Sequence, residues 1–252
     1  MAITIFLLGR PGSGKSTAAR YIHLLTKRYG WSAMHINDYP FLFAQFKADI
    51  HHHKFKPSGC GGFDVIDFSV LDVALHAIEQ EAQKYLAQPH KLLLLEFARN
   101  DYIQALKQFQ PAFLRNSYFI FFEADLDICV NRVYDRAYHP TNRDDHFISE
   151  EMIRSYYQEE NDELLIYQLL AQYGISKKRI CIIQNTGTRK KFYEHLRYFV
   201  SGFLSKKSDE PTHTQEPQSD CKEYSMVYST PSATHQTYEW QSQPNDSDAS
   251  QI

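Results

Sequence analysis

The sequence predicts an α/β fold in three layers, a parallel sheet of five strands with helices packed on both faces. Three observations carry that prediction. Strand-length apolar runs alternate with segments of helical apolar spacing through residues 1–204. One run, Leu92 to Leu95, is apolar at every position, which suits a strand buried on both faces. A glycine-rich turn made of Gly9, Arg10, Pro11, Gly12, Ser13, Gly14, Lys15, Ser16 and Thr17 joins the first apolar run to the first helical segment.

Residues 2–8 are apolar and β-branched and read as the first strand. The turn that follows fits G-x-x-x-x-G-K-[ST], with Gly9, Gly14, Lys15 and Ser16 in the required places. Glycines let successive backbone N–H groups turn inward around phosphate oxygens, at backbone angles that a side chain resists. Lys15 has the reach to meet outer phosphates, and the Ser16 hydroxyl can ligate Mg²⁺. Residues 15–29 then form a helix with Ala18, Ala19, Ile22, Leu25 and Thr26 toward one face and Gly30 as its stop. Its N-terminal dipole and unpaired N–H groups complete an anion site. Strand, glycine turn and helix are the context this motif needs, so Gly9 to Thr17 are expected to bind a nucleoside triphosphate.

A second strand over 31–36 ends at Asn37 and Asp38. An acid at that place falls on the carboxyl edge of a parallel sheet, where ligands bind. Asp38 could accept a proton from a substrate hydroxyl or position Mg²⁺; alternatively it turns the chain and caps the next helix. Residues 41–62 read as an aromatic-rich helix followed by a loop, with Gly59, Gly61 and Gly62 making the loop mobile over the substrate side. His51, His52 and His53 cannot all face one ion in regular structure and read as an exposed turn. Lys54 and Lys56 are weak candidates for an anionic substrate. Within 63–88 an amphipathic helix is expected, with Val70, Leu71, Ala74, Leu75 and Ile78 among its apolar positions. Asp64 and Asp67 precede it as caps or as substrate contacts.

The third strand, 91–96, ends in Glu96, with Arg99 three residues on, where it could face the same crevice and neutralise a substrate phosphate, or simply end the strand for solubility. A helix from Tyr102 to Phe109 leads to a fourth strand over 117–124, rich in aromatics of high β propensity. Asp125 can cap the helix 126–138, where Arg132 and Arg136 are four apart and share a face. The polar loop 139–147 follows and carries Arg143. Two aligned arginines and a loop are what a phosphate-covering lid needs, since guanidinium groups stabilise charge as the lid expels water; paired with nearby acids, they would instead be a solvated face. A helix over 149–174 stops at Gly174, and 179–185 is the fifth strand. Asn185 and Gly187 lie in the small polar loop after it, placed to hold an adenine edge. Residues 188–204 are the closing helix.

From residue 205 onward, Ser, Gln, Thr, Pro and Asp dominate and no apolar period survives, so 205–252 reads as a disordered polar tail behind a 1–204 domain. The tail carries three basic and eight acidic residues, leaving 24 basic against 22 acidic in 1–204. That balance does not favour a general nucleic-acid surface. The four cysteines lie far apart without a C-x-x-C pairing, and no leader or membrane-length apolar run is present. The expectation is a reduced, cytoplasmic protein with no membrane partner.

On GRPGSGKST, Asp38, Glu96, the Arg132/Arg136 pair and the QNTG loop at 184–187, residues 1–204 resemble the small P-loop kinases. These are the nucleoside and nucleotide kinases together with the shikimate, gluconate and polynucleotide kinases. The resemblance implies a strand order of 2-3-1-4-5, ATP with Mg²⁺, and γ-phosphoryl transfer to a small-molecule, nucleoside or nucleotide acceptor. It makes Glu96 the Walker B acid, a Mg²⁺ ligand with Ser16 directly or through water. Lys15, Asp38, Glu96, Arg132 and Arg136 become the catalytic set, with Asn185 and Gly187 at the base. Two other readings stay open: an ATP-binding regulatory NTPase without an acceptor, and a polynucleotide 5′-hydroxyl kinase with Lys54 and Lys56 in a basic groove beside Asp38. The third strand ends EFAR, a departure from the Asp-Gly-hydrophobic-Pro-Arg turn of nucleoside monophosphate kinases. No Asn-Lys-x-Asp guanine motif is present.

Overall fold

A computed structural model describes residues 1–140, 146–157 and 162–204, without the side chains of 162–164. Arg143 and the 205–252 tail lie outside the described residues. The chain opens with β1 (Ile3–Leu8), α1 (Lys15–Lys27), β2 (Ser32–Asn37) and α2 (Tyr39–Ala48). Two short strands, β3 (Phe55–Pro57) and β4 (Phe63–Val65), precede α3 (Ser69–Gln83) and β5 (Lys91–Glu96). Helices α4 (Tyr102–Leu106) and α5 (Pro111–Arg115) lead to β6 (Tyr118–Glu123) and α6 (Leu126–Tyr138). The domain finishes with α7 (Glu150–Tyr156), α8 (Asp162–Ala171), β7 (Ile180–Gln184) and α9 (Arg189–Leu204).

The main sheet has the order β2-β5-β1-β6-β7, and every pairing in it is parallel. With the separate β3–β4 pair set aside, this is 2-3-1-4-5, and the glycine loop joins the central strand to α1. The architecture is therefore a P-loop kinase-like α/β fold, as the sequence implied.

Strand periodicity sorts the core into two layers. Phe6 and Leu8, with Leu93, Leu95, Phe119 and Phe121, pack toward α3, α4, α5 and α8. Ile5 and Leu7, with Leu92, Leu94, Ile120 and Phe122, pack toward α1 and α9. Successive side chains of a strand point to opposite faces, so the Leu92–Leu95 run feeds both layers in turn and has no polar alternation to show. Phe6 anchors the first layer, stacked on Phe119 at 5.0 Å and edge-on to Phe97, Phe109 and Phe113. Burying one such ring contributes roughly 1.5–3 kcal/mol.

Three segments differ from the sequence reading. The helix expected over 102–109 stops at Leu106, and a second short helix starts beyond it at Pro111, next to Gln110, whose N–H the buried Glu79 carboxylate accepts at 3.2 Å. The 149–174 helix is interrupted, with α7 ending at Tyr156 and α8 starting at Asp162. The loop before α3 contains an antiparallel hairpin, in which Phe55 pairs with Val65 and Lys56 with Asp64. Into it leads the His51–His53 turn, organised by Asp49, whose carboxylate accepts N–H groups from His53, Lys54 and Phe55 at 3.1, 2.7 and 3.0 Å. Among the described residues, no helix is long and apolar enough to cross a membrane.

Candidate active site

The phosphate loop is held by three remote segments. Gly9 donates its N–H to the Tyr102 hydroxyl at 2.6 Å. Arg132 donates to the carbonyls of Gly12 and Asn185 at 3.3 and 2.9 Å, and the Asn185 amide donates to the Ser13 carbonyl at 2.8 Å. Gly9, Gly12 and Gly14 all sit at positive φ, and at each a Cβ would overlap a neighbour, at Gly9 the Phe122 carbonyl. Gly12 has φ +81°, and a Cβ there would overlap the Cys129 carbonyl; Gly14 has φ +108°, and a Cβ there would overlap the Asn185 amide. Lys15 is buried and donates from Nζ to the carbonyls of Gly9 and Arg10 at 2.7 and 2.8 Å. Burial pulls its pKa below the ordinary lysine value, with Arg136 adding to the effect and Glu96 and Asp38 opposing it.

This loop fits a phosphate chain. Gly14 caps α1 without a side-chain hydrogen bond, and no acid stands in the first turn. The opening N–H groups of α1 have no intrahelical acceptor, so they are available to an anion. The Ser13 hydroxyl, beneath this loop beside Gly9, is buried with no hydrogen-bond partner among the described residues.

Sheet register delivers the acids. Glu96 lies beside Leu7 and Asn37, and its parity with Leu92 and Leu94 puts it on the α1 face. There the Ser16 hydroxyl donates to Glu96 Oε1 at 2.7 Å, while His35 Nε2 stands 2.8 Å from Oε2. Burial pushes the Glu96 carboxyl up, but His35, Lys15 and the Ser16 hydroxyl outweigh it and hold the carboxyl below its ordinary value. Asp38, one residue past β2, pairs with Arg99 at 2.7 Å, and Arg99 also donates to the Leu71 carbonyl at 2.9 Å. For Asp38 burial prevails over Arg99 and raises the carboxyl. Two neighbouring carboxylates are thus driven apart, which is how a site separates a proton acceptor from a permanent anion.

Two cavities meet at these residues. The first, about 350 Å³, is lined by Gly12, Gly14, Thr17, Arg132, Asn185 and Gly187, with Arg20, Arg189 and Phe192. The second, about 110 Å³, lies over Asp38, Arg99 and Pro11 beneath the β3–β4 hairpin. Lys15, Ser16, Glu96 and Arg136 line both. Ser16 and Glu96 fit a shared Mg²⁺, which takes one or two protein oxygens and completes its shell from phosphates and water. Among the described residues no three His, Cys, Asp or Glu side chains gather as a metal-holding group.

The remaining candidates scatter. Arg10 points away from the cradle and donates to the carbonyls of Tyr157 and Ala124 at 2.7 and 3.3 Å. Thr17 accepts from Arg20 at 3.2 Å. Asp64 lines the second cavity and accepts the Ser149 N–H at 3.0 Å, whereas Asp67 accepts from Ser69 N–H at the start of α3. Lys54, Lys56 and His51 to His53 are exposed and line neither cavity. His35, Tyr102 and Arg189 escaped the sequence reading. Strand parity alone could have found His35, which precedes Asn37 by two and so shares its face with Glu96.

No family model matches this chain, and no curated protein matches it. Among solved structures it is similar to the APS kinase of Mycobacterium tuberculosis in complex with AMPPNP and APS, at 17% identity over 79% of this chain and 98% of that one, TM-score 0.49. It is similar to a gluconokinase from Sinorhizobium meliloti at 12% identity, covering 82% and 95% of the two chains, TM-score 0.47. The shikimate kinase of Acinetobacter baumannii in complex with shikimate gives 15% identity, 83% and 97% coverage, and TM-score 0.44.

Proposed function

We propose that this chain is an ATP- and Mg²⁺-dependent phosphotransferase acting on a small acceptor held in the second cavity. The observation that carries this reading is the junction of two cavities at Lys15, Ser16, Glu96 and Arg136, with Asp38 on the far side. A regulator that only senses nucleotide needs the first cavity and has no use for the second. A polynucleotide kinase needs a basic groove beside Asp38. The second cavity instead balances Asp38, Asp64 and Glu96 against Lys15, Arg99 and Arg136 among the described residues, and Lys54 and Lys56 lie outside it.

In this proposal the loop amides hold phosphate oxygens, and Lys15 exchanges its carbonyl contacts for the outer phosphates. Arg132, Asn185 and Gly187 wall the base side. Ser16 and Glu96 hold the metal, with His35 fixing the second carboxylate oxygen. Asp38 takes the proton of the acceptor hydroxyl at a carboxylate oxygen, and Arg99 keeps that carboxylate aimed. Arg136 balances charge where the cavities join. Bound there, ATP with Mg²⁺ supplies the phosphoryl group and neutralises its oxygens. Such chemistry asks chiefly for positioning and electrostatics, which these residues offer. The 205–252 tail is proposed to be a polar appendage outside this chemistry, and the protein to work in the cytoplasm.

The test is transfer of label from γ-labelled ATP into pooled acceptors, with Asp38→Asn run beside the unaltered chain. Label entering one pool and lost in the variant, with ATP affinity retained, is the expected result. ATP binding without transfer to any pool would overturn the kinase reading in favour of a nucleotide-sensing regulator.

A further inference from the structure

The second cavity also describes its occupant, granted the kinase reading above. Two sets of near-parallel rings border it. Tyr39 stacks on His146 with centroids 4.2 Å apart and planes 15° apart, and Phe63 lies 8° from the plane of Tyr39 at 6.1 Å. Phe68 stacks on Tyr156 at 4.6 Å and 8°. All five rings line the cavity. Phe68 remains 44% exposed there, a large apolar ring held open at a cavity wall. Exposed apolar surface gathered around a concave site marks a place where a ligand provides the cover.

Charge in this cavity is mostly engaged within the protein, although the Arg99 Nε is buried with no hydrogen-bond partner among the described residues. Arg99 is committed to Asp38 and the Leu71 carbonyl, and Asp64 to the Ser149 N–H. Lys15 and Arg136 sit at the junction with the first cavity, where the transferred phosphoryl charge must be balanced. An acceptor carrying its own carboxylate or phosphate would bury that charge against rings and beside the Asp38 and Asp64 carboxylates, and a desolvated anion next to like charge is strongly disfavoured. A flat neutral ring gains instead, since ring faces attract one another in offset-stacked and edge-to-face arrangements.

We infer that the acceptor is an uncharged alcohol bearing an aromatic or heteroaromatic ring, with the ring against the Tyr39 and Phe68 walls and the hydroxyl at Asp38. Asp38 takes the hydroxyl proton as the acceptor oxygen bonds to the γ-phosphorus, and the bridging oxygen leaves with its electron pair on ADP. The ring walls, more than any charged contact, set specificity.

The experiment is equilibrium binding to the full chain saturated with AMPPNP and Mg²⁺, followed by label transfer with ATP. The neutral ring-bearing probes are thymidine, uridine, pyridoxine and a phenyl glycoside. The anionic probes are thymidine 5′-monophosphate, gluconate and shikimate. The expected result is at least one neutral ring-bearing probe bound ten-fold or more tighter than every anionic one. Phe68→Leu, at an exposed position, and Tyr39→Leu should each weaken that probe ten-fold or more, while AMPPNP affinity stays unchanged and reports the fold. An anionic probe binding best, no neutral probe binding, or no response to Phe68→Leu overturns the inference. Transfer into an anionic acceptor would sink it and leave the kinase reading standing. Binding of a neutral probe without transfer would sink the kinase reading and leave the ligand class standing.

Discussion

The Asp38–Arg99 pair offers the sharpest quantitative test of how this site is built. The two side chains are 16% and 5% exposed and 2.7 Å apart. Arg99→Met keeps most of the side-chain volume and removes the guanidinium, leaving a carboxylate buried without its counter-charge. Breaking a buried pair from one side costs about 3–5 kcal/mol. For a domain of this size each kcal/mol is worth about 2–4 °C in melting temperature, so a fall of about 6–20 °C is expected. Asp38→Leu, which strands the guanidinium, should cost a similar amount. The double variant should recover most of both losses, because replacing a buried pair by apolar groups is often nearly neutral. Thermal and denaturant unfolding of the four proteins closes the cycle. If the double variant lost the sum of the single losses to within about 0.5 kcal/mol, the two groups would be independent and the coupling refuted. Activity supplies a second reading. With Arg99 gone, burial acts on Asp38 with only Lys15 left to oppose it and pushes its carboxyl further up, so the acid limb of the pH–rate profile should move to higher pH.

Two further predictions concern neighbouring groups. Arg136→Ala should lower turnover by about 10³-fold, as expected for an arginine that balances transition-state charge, while ATP affinity is nearly kept; Arg132→Ala, by releasing the carbonyls of Gly12 and Asn185, should act mainly on ATP affinity, and equal effects on both quantities in both variants would refute the division. Glu96 is held below its ordinary carboxylate value, so its contribution to stability is complete above that value and is lost as pH falls through the folded one. The melting-temperature gap between the unaltered chain and Glu96→Gln should therefore narrow on acidification from pH 7, and a gap that stayed constant to pH 3 would contradict the assignment.

What could be seen in the sequence was whatever repeats over several residues or has a fixed spacing. The Leu92–Leu95 run, the 3.6-residue stripe of α1 and the glycine spacing each state their structure locally, whereas sheet order came only from the resemblance to the small P-loop kinases. The β3–β4 hairpin was hidden because three-residue strands have no period to display, and they are held by each other and not by their own propensity. The break between α4 and α5 depends on Glu79, thirty-one positions from Gln110, which no local window contains. Candidate acids were legible because they terminate apolar strands at the sheet's carboxyl edge. Their partners were not. Arg99 reads as a cation for substrate, and only its burial against Asp38 and Leu71 reveals it as an internal counter-charge. Likewise Arg132 and Arg136 share a helical face in the sequence, yet one ties down backbone and the other borders both cavities.

The tethering of the phosphate loop bears on how nucleotide would be recognised thermodynamically. Tyr102 belongs to the layer on one side of the sheet, while Asn185 follows β7 and Arg132 sits on α6, so the loop is clasped from three directions before any ligand arrives. Ordering entropy for these residues is then charged to folding and not to association, which leaves more of the contact energy visible as affinity. The same arrangement denies the loop a private melting event. Nucleotide affinity should persist on heating up to the cooperative unfolding of the domain and vanish with it.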